Sequence, residues 1–358
     1  MINDSYRAIG LMSGTSLDGL DIAFCSFEFD GEQWSFHLEA SKSVSYEDSL
    51  RKRLQQSVEL SSLALLGLDR EYGVWLGQQV DAFVRENQVQ ADFVASHGHT
   101  VFHQPWKGIT YQVGSGQWLA NACGLEVICD FRTKDVSLGG QGAPLVPIGD
   151  KYLFPGYDFC LNLGGIANVS FTEKGDRLAY DIGIANMLLN YLAGQLGKTY
   201  DRDGQHAAAG TCEKQLFDEL NGLSYYAAPY PKSTGYEWFS EEILPLIKKS
   251  PSSVADKLNT SVHHIAYQVA RAIQKSRKDG KVLVTGGGAR NIFLIETLRH
   301  YLQDAFEVIV PEGSTVDFKE AIVFAFMGVL KKRHEVNCLR SVTGALKDSS
   351  SGVIFTPS

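Results

Sequence analysis

The sequence predicts an α/β protein of two domains with mixed sheets. Three observations point there: strand-like and helix-like segments alternate along the chain; a strand, glycine turn, strand, strand opening occurs twice; and 358 residues exceed what one hydrophobic core usually serves. The two openings are antiparallel hairpins, which favours mixed sheets over purely parallel ones.

In the first half, residues 6–12 read as a strand, then a glycine-rich turn, then 20–29 as a second strand and 34–40 as a third. Residues 46–87 carry Leu, Val and Phe at three- and four-residue spacings, a helical pattern in two pieces. Residues 92–96 and 126–130 read as short buried strands. After a Gly- and Pro-rich passage over 139–156 the pattern restarts: strands at 159–163, 167–171 and 178–181, then a helix from about Asn186. Met187, Leu188, Tyr191 and Leu192 form its core face. Residues 261–276 predict a helix, 282–284 a buried strand, 306–310 a further strand, and 319–332 an apolar helix opened by Glu320.

Composition narrows the class. Apolar residues at 44% and charged residues at 21% exclude disorder, collagen and coiled coil. A net charge of −8 argues against a protein that lives on nucleic acid or anionic membrane. A local basic pocket for a small anion is compatible with it. The first residues lack a signal-peptide pattern, and the longest apolar run, 321–330, is half the ~20 residues a membrane span needs. Six scattered cysteines without a C-x-x-C pair fit free thiols in a cytoplasmic protein.

Three glycine-rich turns carry most of the chemistry. The first is Gly14-Thr15-Ser16-Leu17-Asp18-Gly19-Leu20-Asp21, between two apolar strands. Its glycines let backbone N–H groups approach a phosphate, and Thr15 and Ser16 add hydroxyls. Asp18 and Asp21 would repel bare phosphate, so the turn points to nucleotide with Mg²⁺, reached directly or through water. An ordinary hairpin is the alternative. The second turn is Asn162-Leu163-Gly164-Gly165-Ile166-Ala167-Asn168, phosphate hairpin or plain hairpin. The third, Thr285-Gly286-Gly287-Gly288-Ala289-Arg290-Asn291, stands between a strand and a helix, where an anion or nucleotide can sit.

Common motifs fail. Gly197-Lys198-Thr199 lacks the first glycine of a P-loop, since Leu192 stands there. Gly286-x-Gly288-x-x-Asn291 misses the last glycine of the dinucleotide fingerprint, and Gly14-x-Ser16-x-Asp18 is no nucleophile elbow. His97-x-His99-x-x-x-His103 has no acidic partner for a metal; a substrate contact or a hydrogen-bonded turn histidine suits His97 better.

Two phosphate hairpins followed by strand-Gly-Gly-Gly-helix is the order of the actin, hexokinase and sugar-kinase ATPases. Within that superfamily, Gly10-Leu11-Met12-Ser13-Gly14-Thr15-Ser16-Leu17-Asp18-Gly19-Leu20-Asp21 closely resembles the opening of the anhydro-N-acetylmuramic acid kinases. So do Ser96-His97-Gly98-His99-Thr100-Val101-Phe102-His103, Asp130-Phe131-Arg132, and Gly139-Gly140-Gln141-Gly142-Ala143-Pro144-Leu145-Val146-Pro147. Asn162 to Asn168, Lys232-Ser233-Thr234-Gly235 and Ser341-Val342-Thr343-Gly344-Ala345 complete the resemblance in the family's order. The chain departs from it at Asp181-Ile182-Gly183-Ile184-Ala185-Asn186, where the family has Asp-Thr-Gly-Pro-Gly-Asn, and at His99, where it has Gln.

The resemblance implies a two-domain actin-like ATPase (ribonuclease H-like) fold, mixed sheets flanked by helices around a central cleft. It places one domain at 1–145 plus 341–358 and the other at 146–340. It implies ATP and Mg²⁺, a small amino-sugar substrate (1,6-anhydro-N-acetylmuramic acid), a homodimer, and a role in cell-wall recycling. Nucleotide contacts fall on Gly14 to Asp21, Asn162, Gly164, Gly165, Asn168, Gly286, Gly287, Gly288 and Asn291. Asp181 matches the family's base, with a helix N-cap as its alternative. His97, Arg132, Asn186 and Glu320 are the substrate candidates: Arg132 for a carboxylate, which a guanidinium grips bidentately, with a strand-end salt bridge as alternative, and Glu320 facing the sugar or solvated in a first turn. A conventional kinase of an open amino sugar and a non-catalytic nucleotide-binding regulator are the rival readings.

Overall fold

The computed structural model describes residues 4–14, 17–311 and 313–358. It divides into two compact units, residues 1–153 with 318–358, and residues 154–317. The sequence expectation set the boundary at 145/146 and the return at 341. Both shift because two helices pack on the first sheet. A side chain at Gly149 of the helix Pro147–Leu153 would collide with Val323 at 2.3 Å, and one at Gly10 would strike the Ala321 carbonyl at 1.8 Å. Gly328 similarly lies against Phe93. The apolar helix Thr315–Lys332 thus lays residues 321–328 directly on the strands, which only glycine at these crossings permits.

In the first unit β1 (Ser5–Ser13), β2 (Leu20–Phe29) and β3 (Trp34–Val44) form an antiparallel meander, and β4 (Phe93–Ser96) adds parallel to β1. A separate hairpin pairs β5 (His99–Gln104) with β6 (Ile109–Val113), while β7 (Glu126–Cys129) lies parallel to β4. The edge strand Val353–Phe355 pairs antiparallel with β7, giving the order edge–β7–β4–β1–β2–β3. The helix Ser62–Asn87 covers one face, its start capped by Ser61. Leu68, Tyr72, Leu76, Val80 and Phe83 from that helix meet Ile9, Leu11, Ile22 and Phe24 in one core.

In the second unit β8 (Phe159–Leu163), β9 (Ile166–Glu173) and β10 (Asp176–Ile184) repeat the meander. β11 (Gly280–Thr285) lies parallel to β8, and β12 (Phe306–Ile309) parallel to β11. The order is β10–β9–β8–β11–β12. The helix Val254–Ser276 buries Leu258, Val262, Ile265, Val269 and Ile273 against this sheet. Both units therefore carry the mixed, helix-flanked sheet of the actin-like ATPase fold. Among the described residues, no helix is long and apolar enough to cross a membrane.

Two details differ from the expected elements. Glu320 stands in the second turn of its helix, which begins at Thr315. The Gly286–Gly288 run enters a short 3₁₀ turn, Gly287–Arg290, and the helix Ile292–Leu302 follows only after Asn291.

Candidate functional site

In the second unit, strand register gathers the site. Thr285, Asn162, Asn168 and Asp181 are direct cross-strand partners on β11, β8, β9 and β10. Directly opposed residues share a face, so these four form a polar row at one end of the sheet. The β8–β9 turn closes beside the row with only Gly164 and Gly165. Neither has a positive φ, and a side chain would meet nothing nearer than 3.4 Å at Gly164 or 3.9 Å at Gly165. Packing does not demand glycine at these two positions; the space they leave is open to a ligand.

Gly286 and Gly288 differ. Gly286 has φ +81° and its missing side chain would lie 2.4 Å from Asn162 Oδ1, while Gly288 sits against Leu163. These glycines let the third turn press onto the end of β8. Asn186 joins them, its Nδ2 donating to the Leu163 carbonyl at 2.9 Å. Asn162, Gly164, Gly165, Asn186, Gly286, Gly287 and Gly288 thus converge. Asn291 is spent differently: its Oδ1 accepts the Leu294 N–H at 3.0 Å as a helix N-cap.

Asp181 is not a helix cap; Ala185 takes the N-terminal position of the helix Asn186–Gly194. A bulge follows Asp181, with the register slipping between Asp181 and Gly183. The free edge of β10 is covered by a segment the sequence reading did not assign to the site. The Asp181 N–H donates to the Lys232 carbonyl at 3.1 Å, the Tyr225 hydroxyl donates to the Asp181 carbonyl at 2.7 Å, and Asp181 Oδ2 accepts the Thr234 N–H at 3.1 Å. Burial raises the Asp181 carboxyl above the ordinary range, and the single Thr234 N–H offsets this in part. The only sequence signal for this clamp was the Lys232-Ser233-Thr234-Gly235 block; nothing in its composition reveals the partner strand.

In the first unit, Thr15 and Ser16 lie outside the described residues. Leu17 adopts φ +61° and donates its N–H to the Gly14 carbonyl, and Gly19 fits against the Val44 carbonyl, where a side chain would stand at 2.4 Å. Leu20 begins β2 and its side chain is fully buried in the core, so a nucleotide contact at this position falls to its backbone. Asp18 is exposed, and Asp21 is half-buried, accepting the Ser43 hydroxyl at 2.5 Å. Among the described residues no group of three or more His, Cys, Asp or Glu could hold a metal ion, the 97–103 histidines included. Two carboxylates on an open turn do fit Mg²⁺, which keeps several waters and shares its shell with phosphate oxygens.

His97 and Arg132 bind each other. His97 Nδ1 donates to the Gly98 carbonyl at 2.8 Å, which leaves Nε2 to accept from Arg132 Nε at 3.2 Å and Nη2 at 2.8 Å. The ring is neutral: burial first, then the guanidinium, lowers its pKa to about 3. Arg132 Nη1 donates to the Gly142 carbonyl at 2.5 Å, and Gly142 is held in turn through its N–H by Asp135 Oδ2 at 2.8 Å. Asp135, fully buried, also accepts the Thr343 hydroxyl at 2.8 Å. Three of the five guanidinium N–H groups are therefore spent, two on His97 and one on the Gly142 carbonyl, which leaves two for a ligand. Burial lowers the Arg132 pKa to about 10, with the charge of Glu320 the largest influence opposing it. Glu320 is exposed yet crowded by protein, which raises its carboxyl, while Arg132 and Lys319 pull it down. Asp135 and the Ser13–Tyr46–Tyr72 hydroxyl chain, with links of 2.6 and 2.8 Å, escaped the sequence reading.

The chain is similar to known proteins. A family model described as anhydro-N-acetylmuramic acid kinase matches residues 6–357. A curated protein named anhydro-N-acetylmuramic acid kinase from Shewanella pealeana is 34% identical over 377 residues, covering 99% of this chain and 99% of that protein. One of the same name from Haemophilus influenzae is 33% identical over 377 residues, covering 97% of each. A solved activator of the 2-hydroxyisocaproyl-CoA dehydratase from Clostridium difficile, with bound ADPNP, aligns with TM-score 0.47 at 13% identity over 91% of this chain and 96% of that one.

Proposed function

We propose that this chain, which belongs to the anhydro-N-acetylmuramic acid kinase family, opens 1,6-anhydro-N-acetylmuramic acid with water and phosphorylates its O6 at the expense of ATP. The products are N-acetylmuramic acid 6-phosphate and ADP, and the setting is peptidoglycan recycling. The chain is a phosphotransferase with an alcohol oxygen as acceptor. In the anhydro sugar O6 is tied to C1, so no free hydroxyl is available. Water attacks C1, the C1–O6 bond breaks, and O6 takes the γ-phosphoryl group while the β–γ bridging oxygen leaves with ADP. The proton lost by water goes to a carboxylate.

One observation carries the reading: Asp181 stands in the polar row beside the Gly164-Gly165 turn, its carboxylate clamped by a single backbone N–H and kept basic by burial. A base must be ionised and yet hold a pKa high enough to take a proton, which partial desolvation provides. Asn162, Asn168 and the N–H groups of the open glycine turn are suited to the transferring phosphate. Arg132, pre-oriented by His97 and the Gly142 carbonyl, is suited to the lactyl carboxylate, and Glu320 to the sugar hydroxyls. Mg²⁺ bound with the triphosphate neutralises its charge, and Asp18 and Asp21 would hold it, through water. Assembly as a homodimer and a cytoplasmic address belong to the same reading, supported by the sequence resemblance.

The test is turnover of ATP with the anhydro sugar against its hydrolysed, open form, in ¹⁸O-labelled water. Phosphorylated product from the anhydro sugar with label at the C1 hydroxyl, and none in the phosphate, is expected. Activity on the open sugar alone, or label in the phosphate, would overturn the reaction.

A further inference from the structure

A cavity of ≈ 260 Å³ in the second unit lies apart from the polar row. Its walls include Tyr180 and Tyr230, the side chains of Lys232, Arg271 and Lys275, and the amide of Gln268. Tyr180 precedes Asp181 on β10, and neighbouring residues of a strand face opposite sides of the sheet. The cavity is therefore on the face away from the Asp181 carboxylate, between β10 and the helix Val254–Ser276.

Three cations and no carboxylate line this space. Lys232 donates to the Tyr225 carbonyl at 2.9 Å and lies 4.4 Å from that ring's centre; Arg271 lies 5.7 Å from the Tyr267 ring. Among the described residues none of the three pairs with an acid. Glu173, outside the cavity wall, accepts the Tyr230 hydroxyl at 3.2 Å. Burial, and then Lys275, depress the Lys232 pKa, as expected of like charges gathered without a counter-ion. Beside the cations, Tyr180 and Tyr230 stack on each other at 5.1 Å with 9° between their planes, an aromatic pair on the cavity wall. The volume is below the usual range for drug-sized ligands, which fits a monosaccharide rather than a nucleotide.

We propose that this cavity is a binding site for a small phosphate monoester on a sugar-sized body, the phosphate held by Lys232, Arg271 and Lys275 and the body laid on Tyr180 and Tyr230. The site has a direct line to the polar row. Lys232 supplies the carbonyl that accepts the Asp181 N–H, and Thr234, two residues on, clamps the carboxylate. An occupied cavity fixes this segment, and so tunes Asp181. Occupancy itself is independent of the kinase reading; only the effect on turnover rests on it.

The test is calorimetric titration of the full chain with glucose 6-phosphate, inorganic phosphate and glucose, with ADP present to fill the phosphate hairpins. Glucose 6-phosphate binds one to one, more tightly than inorganic phosphate, and glucose gives no signal. Arg271→Ala/Lys275→Ala, both exposed positions, weakens glucose 6-phosphate at least tenfold with melting temperature unchanged. Absence of binding, or equal binding by the double variant, would overturn the site; inorganic phosphate binding as tightly as the sugar phosphate would overturn the ring wall. Because these readouts need no turnover, they stay informative even if the chain fails to phosphorylate the anhydro sugar. A kcat that responds to glucose 6-phosphate in the wild type and not in the double variant would establish the link to Asp181.

Discussion

The two units repeat one frame and equip it differently. Each has a three-stranded antiparallel meander followed by two parallel strands, β3–β2–β1–β4–β7 in one and β10–β9–β8–β11–β12 in the other. In the first, β1 and β2 are separated by residues 14–19, with the carboxylate of Asp18 among the described ones; in the second the turn is only Gly164-Gly165. The first unit offers fixed charge on side chains, with Arg132 braced by His97 and Gly142. The second offers backbone, amides and one half-buried carboxylate. The same strands can thus support anchoring in one copy and chemistry in the other, because the functional groups sit on turns and strand ends rather than in the core.

That division is open to attack at its strongest point first. Asp181→Asn should cost about 10²–10⁴-fold in kcat, with little change in KM for either substrate, measured by coupled ADP release. Arg132→Lys should instead raise KM for the anhydro sugar by about 10–100-fold, the scale of a lost charged hydrogen bond, leaving KM for ATP alone. Equal losses of kcat in both variants would erase the distinction between the units.

The pH profile sharpens it. A base must be deprotonated, and the folded Asp181 pKa is raised, so activity falls on acidification at a pH above the ordinary carboxylate value of about 3.9. Glu320 is raised as well. Glu320→Gln should leave the acid limb of kcat in place; a limb that vanished with Glu320 would move the base into the first unit.

Glycines give the smaller effects. Gly10→Ala forces a methyl onto the Ala321 carbonyl and should cost about 1–3 kcal/mol, seen as a lower midpoint in urea with ATP affinity retained in the folded fraction. Gly165→Ala has room for its methyl, so stability should stay within about 0.5 kcal/mol while KM for ATP rises. Finally, Thr343→Val removes one donor from buried Asp135 and should destabilise by about 1.5–3 kcal/mol before relaxation, with a modest rise in sugar KM as the Gly142 loop loosens.

Much of the frame was legible. Residues 20–29 and 159–163 read as strands and are strands to the residue, because apolar runs ended at glycine turns. The helix predicted from Ser261 begins at Val254; the overlooked signal was Ser253, which caps the helix by accepting the Asp256 N–H and donates its hydroxyl to the Asp256 carboxylate. The β5–β6 hairpin was missed because its residues lack clean alternation and face only partly inward. Within the site, glycine turns and Asp181 stood out locally. The clamp on Asp181 and the Thr343 hydroxyl that holds Asp135 did not, since they join residues 53 and 208 positions apart. Long-range pairings of this kind leave no local pattern to read.

β10 is an outer strand, and outer strands expose unpaired N–H and C=O groups that can recruit other chains. At Asp181 both backbone groups are already claimed, one by the Lys232 carbonyl and one by the Tyr225 hydroxyl. The cover that clamps the Asp181 carboxylate is thus also a guard against sticky assembly. Loosening it would threaten solubility along with turnover, and a screen for soluble variants would preserve this segment without any selection for catalysis.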